Sequence, residues 1–427
     1  MPAHRLKSLC LAMAAVLVAA CTEEPASTNA LLAPSFAKTA GEQQTVVVNP
    51  TANGNGVAAT IQEGIDRVAR GGKVLVRPGV YPEALVINKG LTLEAIGDGN
   101  DPVVIAPTGG PNIAVQVTTA DPVMIRGVTV HFSGAQGIRG DGPVNLTVER
   151  VNVRAVNPPL GVGRLLIVFN DATVSGGRAH VSVRASFFDG TLPPANSSTP
   201  AFPQMFGVSL IGDVNALIEE NVIRRTGGAC IVVNMRADFG GETNADIMGN
   251  DLDECYPLQR AGAIIVQPLV VATAPLTATG VVNIVGNTIR NTFASCLVTT
   301  AITQVFAPGR IERNRILGVV QPCAIPIPTR NPTALWIGSL NVAFAPSISP
   351  VVRFNDIEGN AQAGLRVAPN INSSIDATCN WWGAASGPSG LGTGAGDAVL
   401  KEGTAATPTF SPFATAPIAA TGATSCE

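Results

Sequence analysis

The chain has 427 residues, 27 Lys+Arg against 30 Asp+Glu (net charge −3), 13% charged residues and 46% apolar ones. That balance excludes intrinsic disorder, which needs high charge and low hydrophobicity, and a basic nucleic-acid binder, which needs clustered Lys and Arg. Gly 45 and Pro 32 favour a chain of many turns over one of long helices.

In chain order, the first element is an export signal. His4, Arg5 and Lys7 precede an apolar run from Leu9 to Ala20, which is too short to span a bilayer and has the basic start and small-residue exit of a secretory signal. Val18-Ala19-Ala20-Cys21 resembles a bacterial lipobox, whose Cys becomes the lipidated first residue of the mature protein. Residues 1–20 are therefore expected to be the signal and Cys21 the lipid anchor, placing the protein at the outer membrane or cell surface. Residues 21–44, rich in Ala, Thr, Ser, Pro and Glu, are expected to be a flexible tether spanning about 25 Å as a random coil. A folded domain is expected over 45–415, with a tail at 416–427.

One helix stands out. Ile61, Ile65, Val68 and Ala69 share a helical face, Thr60 and Glu63 fit a capping box, and Gly71-Gly72 is a natural stop, so a helix is expected over 60–70. Beyond it come short apolar runs such as Val74–Val76, Leu85–Ile87 and Leu91–Leu93, without helical crossovers, which excludes a doubly wound α/β fold.

A repeat decides among the all-β architectures. The pattern apolar-x-x-Asn-x-apolar occurs at Ile218…Asn221…Ile223, Ile247…Asn250…Leu252, Ile284…Asn287…Ile289, Ile311…Asn314…Ile316 and Val352…Asn355…Ile357, with weaker copies carrying Val128, Val151 and Ser186 at the Asn position. A solenoid explains such a column, because equivalent residues of successive coils lie one strand spacing of about 4.8 Å apart. The Asn is expected to occupy a left-handed corner and to satisfy buried amides through its column. The expected fold is all-β: a single-stranded right-handed parallel β-helix with a short N-terminal capping helix.

Residues 59–97, ATIQEGIDRVARGGKVLVRPGVYPEALVINKGLTLEAIG, and residues 377–390, ATCNWWGAASGPSG, resemble the first coils and the closing segment of right-handed parallel β-helix proteins of the pectate-lyase-like superfamily. The resemblance implies the fold and says little of chemistry. Gly79–Glu83 (GVYPE) is similar to the first short motif of pectin methylesterases, but their aspartate motifs are not found further along. The Asn-Thr-Asp, Asp-Asp and Gly-His-Gly motifs of polygalacturonase-like hydrolases are missing too. A lyase would need a basic residue; the central coils hold no Lys, although the chain's 22 arginines leave Arg open for the role. His131 and His180 sit in strand-like runs that favour packed or solvent-facing imidazoles over a general base.

Residues one and three after each ladder Asn are expected to face outward. Asp251 and Asp253 would lie about 6.8 Å apart along one strand, within the roughly 6.5–9.5 Å used by inverting glycosidases. With Arg224 they are the catalytic candidates, set against the plainer expectation that Arg224 pairs with Asp253 on the next coil. Asp356 and Glu358 repeat the motif.

Six cysteines follow Cys21, and none forms a CxxC or Cys/His cluster, so structural disulfides are expected and no metal or cofactor. Cys296 and Cys323 each lie nine residues after a ladder Asn, which puts them in register for a bridge. Cys230 and Cys255 belong to consecutive coils, and Cys379 with Cys426 would clip the tail to the last coil. Two functions stay open: a non-catalytic surface lipoprotein, monomeric, binding a polysaccharide or envelope component, or a polysaccharide lyase or glycoside hydrolase. Gaps at 157–182, 190–207 and 317–350 would wall a groove in the second case, and Trp336 would be its exposed aromatic.

Overall fold

The computed structural model describes residues 43–418 and 426, apart from 52–56, 98–100, 159–160, 192–203, 256–260, 269–279, 293–298, 305–306, 320–332, 339–349 and 361–362. The signal, Cys21 and the expected Cys296–Cys323 bridge all lie outside the described residues.

Strands come in triplets, one triplet per coil. Val214–Glu219, Val222–Thr226 and Ile231–Met235 make one coil; Thr243–Met248, Asp251–Cys255 and Ala261–Pro268 make the next. The first strands of the coils form sheet A, the second sheet B and the third sheet C, with 12, 10 and 12 strands among the described residues. Neighbours in each sheet come from successive coils and pair in parallel. This is the parallel β-helix, wound in the right-handed sense that about 98% of parallel crossovers adopt.

Both apolar positions of the repeat point inward and stack. Ile218, Ile247, Ile284, Ile311 and Val352 follow one another in register through sheet A, all at 0% exposure. Ile223, Leu252, Ile289, Ile316 and Ile357 do the same in sheet B. Each such side chain contributes roughly 1.5–3 kcal/mol by burial, and together they form one continuous core from Val46 to Ala405.

Between sheets A and B runs the asparagine column. Each Asn Oδ1 accepts from the backbone N–H and the Nδ2 of the Asn one coil earlier: Asn250 Oδ1 from Asn221 (3.0 and 3.0 Å), Asn287 from Asn250 (2.9 and 2.9 Å), Asn314 from Asn287 (3.0 and 3.0 Å), and Asn355 from Asn314 (2.9 and 3.0 Å). The second Nδ2 proton goes back to a carbonyl of the preceding coil, as from Asn287 to Ile247 at 2.9 Å. Ser186 continues the column upward, its N–H bonding Asn221 Oδ1 at 3.0 Å. Asn380 continues it downward, accepting from Asn355 at 2.9 Å twice.

The left-handed corner is not at the Asn, contrary to the sequence expectation. It is the residue before it: Glu220, Gly249, Gly286, Arg313 and Phe354 have φ between 55° and 67°. The bend is made one residue early so that the Asn side chain can turn inward to the column. Four residues after each Asn a second corner follows, at Arg225, Glu254, Asn291, Gly318 and Gly359, again with positive φ. Thr288–Arg290, Arg315–Leu317 and Asp356–Glu358 of sheet B end just before this second corner, which explains their shortness, while Val222–Thr226 and Asp251–Cys255 run one residue past it.

At the N-terminal end, helix α1 covers Ile61–Arg67, shorter than expected. Thr60 Oγ1 accepts from Glu63 N at 3.1 Å and Glu63 Oε2 from Ala59 N at 2.8 Å, so the capping box forms, shifted by one residue. Gly71-Gly72 does not stop the helix. Val68 turns directly into the strand Val68–Val76, and Gly72 sits there because a Cβ would lie 2.6 Å from the Gln44 carbonyl oxygen, beside a bulge in the pairing with Gln43–Val48. At the other end Trp382, fully buried, closes the core, and the Cys379–Cys426 disulfide (Cα–Cα 5.0 Å) ties the tail to the last coil. Cys230–Cys255 (Cα–Cα 5.6 Å) joins two consecutive coils. The gap at 157–182 is no loop: it holds the nine-residue strand Val162–Asn170 of sheet C and the one-turn helix α2, Ala172–Ser175.

Candidate functional site

The sequence candidates lie on the outer face of sheet B. Register stacks His131, Arg154, Asp189, Arg224, Asp253 and Arg290 on consecutive coils, a column that alternates in charge after His131. Arg290 closes on both candidate aspartates, with Nη2 2.8 Å from Asp251 Oδ2 and Nε 3.4 Å from Asp253 Oδ2. Burial opposes the charge of this guanidinium, yet the bond to Asp251 and the two carboxylates raise its pKa overall. Asn291 Nδ2 adds a bond to Asp253 at 2.9 Å.

Arg224 does not join them. Register puts it beside Asp253, as expected, but its guanidinium turns to the preceding coil, 3.5 Å from Asp189 Oδ2 and 4.6 Å from the Phe187 ring centre. Asp189 is the stronger partner because its carboxylate is almost fully buried, where attraction is less screened. Burial drives the Asp189 pKa up, but the bonds from Arg225 and from Thr191 N–H and the charges of Arg225 and Arg224 bring it below the usual carboxylate range. The three candidates therefore belong to two separate ion-pair groups. Arg290 thus commits both carboxylates, Asp251 and Asp253, to one guanidinium.

The other chemistry-bearing residues of sheet B are similarly engaged. Burial and the neighbouring Arg154 lower the His131 pKa, which keeps that imidazole neutral. Asp356, expected outward, is 3% exposed under the C-terminal tail and bonds Ile418 N–H, and Glu358 accepts from Trp381 Nε1 at 3.2 Å. GVYPE also has a structural use: the Glu83 carboxylate accepts from Ile61 N (2.7 Å) and Gln62 N (2.9 Å), capping α1 from 22 residues away. Trp336 is buried, at 5% exposure, with the Arg366 guanidinium 5.7 Å from its ring, so it offers no sugar-stacking face.

A face missed in the sequence is better suited to a ligand. On the outside of sheet A, side chains six and four residues before the ladder position form two parallel rows. Asn145, His180, Asn215 and Asn244 are in register in one; Thr147, Ser182, Leu217, Asp246 and Asn283 in the other. They line a broad depression of ≈ 540 Å³. Bonds between coils hold part of it in place: Asn244 Nδ2 to Asn215 Oδ1 at 3.1 Å, Val281 N to Asn244 Oδ1 at 2.8 Å, and Asn283 Nδ2 to Asp246 Oδ1 at 2.8 Å. The Ser182 hydroxyl is buried there with no hydrogen-bond partner among the described residues. Such an atom calls for a donor or acceptor from outside the chain.

Along one side of this depression runs a charged column, two residues before the ladder position: Glu94, Arg126, Glu149, Arg184 and Glu219 in register. Arg126 bridges Glu94 (3.6 Å) and Glu149 (2.9 Å), and Arg184 reaches Glu219 (3.6 Å). The hydrogen bond from Arg126 lowers the Glu149 pKa, more than its partial burial opposes. The column alternates in charge, with three glutamates against two arginines, and its arginines are paired within it, so the depression beside it is polar and mildly acidic, with Asp246 lining it. Stacking the repeats on their Asn and reading the columns before it would have exposed both features.

No protein-family model matches the chain, and no curated protein matches it. Among solved structures it is similar to the Dettilon tailspike protein, at 14% identity over 83% of this chain and 68% of that one, with a TM-score of 0.54. The likeness is one of fold. Weaker likenesses are to the catalytic domain of a GH87 α-1,3-glucanase in complex with tetrasaccharides (12% identity, 88% of this chain and 69% of that, TM-score 0.40) and a GH136 lacto-N-biosidase from Eubacterium ramulus (10%, 87% and 68%, TM-score 0.34). The tailspike agrees with the parallel coil architecture and leaves the site to be read from this chain's own residues.

Proposed function

We propose that this chain is a lipid-anchored surface protein whose rigid sheet A face binds a polysaccharide without cleaving it. The observation that carries the reading is the double row over the depression, mostly amide and hydroxyl groups (Asn145, Asn215, Asn244, Thr147, Ser182, Asn283) interrupted by His180, Leu217 and Asp246. It repeats about every 4.8 Å along the solenoid axis, as stacked strands require, and presents a regular series of donors and acceptors to an extended chain of sugars. Hydrogen bonds between Asn215, Asn244, Asp246 and Asn283 pre-organise the surface, reducing the ordering cost of binding. The non-cleaving part of the reading is supported by sheet B, where Arg290 ion-pairs with both Asp251 and Asp253, the candidate acid and base. The lipobox at Cys21 and the tether to residue 44 would hold this face away from a membrane, and the monomeric solenoid suffices for it.

The test is to incubate the soluble body with a panel of polysaccharides, recording affinity and the appearance of new reducing or unsaturated ends. The reading expects binding that weakens at least about tenfold when Asn215 and Asn244 are both replaced by Ala, with no new ends. Cleavage products, or binding indifferent to this double substitution, would overturn it.

A further inference from the structure

On the outer face of sheet C, away from the sheet A depression, stands a guanidinium with no counter-charge among the described residues. Gln136, Arg164 and Phe206 are in register on three consecutive coils. Nearby, Arg139 is already balanced: its Nε lies 2.6 Å from Asp141 Oδ1, and its Nη1 donates to Gln136 Oε1 at 3.2 Å. The other Asp141 oxygen accepts from Gln116 Nε2 at 2.8 Å. Asp141 thus has its charge committed to Arg139 and its remaining oxygen to an amide.

Arg164 is half-buried, and its contact is the Phe206 ring, 5.8 Å from Cζ to the ring centre. No carboxylate among the described residues pairs with it. Burial first, and the charge of Arg139 second, lower its pKa, as they would for a cation lacking compensation. A partly desolvated guanidinium is unfavourable without an opposite charge. Two arginines against one aspartate leave the cluster at +1, which matches one monoanionic group. The planar fork of Arg suits the paired oxygens of a carboxylate or a sulfate ester. The half-buried Phe206 ring beside it gives apolar surface that a bare ion would leave uncovered but a sugar ring would use.

We propose that Arg164, with Arg139, Gln136 and Phe206 around it, forms an anion site that takes the carboxylate or sulfate ester of an acidic sugar. It rests on sheet C residues alone and stands or falls separately from the sheet A reading.

The experiment titrates the full chain with three probes: a hyaluronan tetrasaccharide for the carboxylate, a κ-carrageenan tetrasaccharide for the sulfate, and neutral N-acetylchitotetraose. At least one charged probe is expected to bind, to weaken with rising salt, and to lose at least about tenfold in affinity in R164Q. Any binding of the neutral probe should be indifferent to R164Q. Preference between the charged probes assigns carboxylate or sulfate. The fold-loss that R164Q causes in charged-probe affinity should be the same whether or not Asn215 and Asn244 are replaced, which separates this site from the depression. Equal affinity in wild type and R164Q, or no binding of either charged probe, overturns the proposal. Without ligand, the melting temperature of R164Q should hold or rise. A fall of several degrees would mean that Arg164 is structurally compensated and would equally overturn it.

Discussion

Replacing Asn287 by Ala probes the column at its centre. Asn287 Oδ1 accepts two bonds, from Asn250 N and Asn250 Nδ2, each at 2.9 Å, and Asn287 is itself fully buried. The Ala variant strands both donors where solvent does not reach. At about 1–3 kcal/mol for each stranded donor, the loss should be about 2–6 kcal/mol, a large part of a typical domain's stability. Asn221, nearer the column's start, accepts among the described residues from Ser186 N alone, so N221A should cost about half as much, roughly 1–3 kcal/mol. N283A, on the outer face, should cost within about 0.5 kcal/mol. Urea unfolding followed by circular dichroism ranks the three, and hydrogen exchange should show the Asn250 amide losing protection first in N287A. A loss below about 1 kcal/mol in N287A, or one equal to that of N283A, would refute the reasoning that the column satisfies amides no other group can reach.

Removing the Glu83 carboxylate in E83A leaves two α1 N–H groups uncapped, and should cost about 1–2 kcal/mol and fray residues 59–67, read by urea unfolding and limited proteolysis. Asp397 has its pKa raised, chiefly by burial, while its Oδ2 accepts from Asn360 N (3.0 Å) and Nδ2 (2.7 Å). A raised carboxyl pKa means that the fold disfavours the charged form, a cost present at neutral pH and relieved as pH falls through the folded pKa. D397N keeps an acceptor oxygen and removes the charge, so it should stabilise the protein at pH 7, with the gain disappearing under acid. Asp189 has the opposite sign: its depressed pKa contributes stability present above the unfolded value and lost as pH falls through the folded one, so D189N should destabilise at pH 7 and flatten that part of the acid-unfolding curve. C21S should release the protein from the membrane fraction and abolish acyl labelling, and unchanged labelling would contradict anchoring at Cys21.

The column was legible because a solenoid demands the same residue type at the same place on every coil, and Asn221 to Asn355 declare it. Asn380 obeys the same frame, with Ala377 and Trp382 at the apolar positions, yet escapes a search tuned to Ile, Leu and Val. What depends on side-chain direction was not legible. Register placed Arg224 beside Asp253, but burial of Asp189 and the ring of Phe187 drew it to the other neighbour. Glu83 acts on a helix 22 residues earlier, a relation set by how the first coil closes over α1. The sheet A rows differ in identity from coil to coil (Asn, His, Asn, Asn), so no repeated letter marks them; only stacking the coils does. Of the two described disulfides, Cys230–Cys255 followed from coil membership, since adjacent coils bring such cysteines within bonding distance whatever the sequence separation, and Cys379–Cys426 from the expectation that the tail is clipped to the last coil.

The most direct test of where this molecule meets its ligand is hydrogen exchange with and without a bound polysaccharide. Protection is expected to increase in the sheet A strands Asn145–Glu149, Ala179–Arg184, Val214–Glu219 and Thr243–Met248, which carry the depression. Protection centred on Asp251–Cys255 and Thr288–Arg290 of sheet B, with sheet A unchanged, would contradict the account.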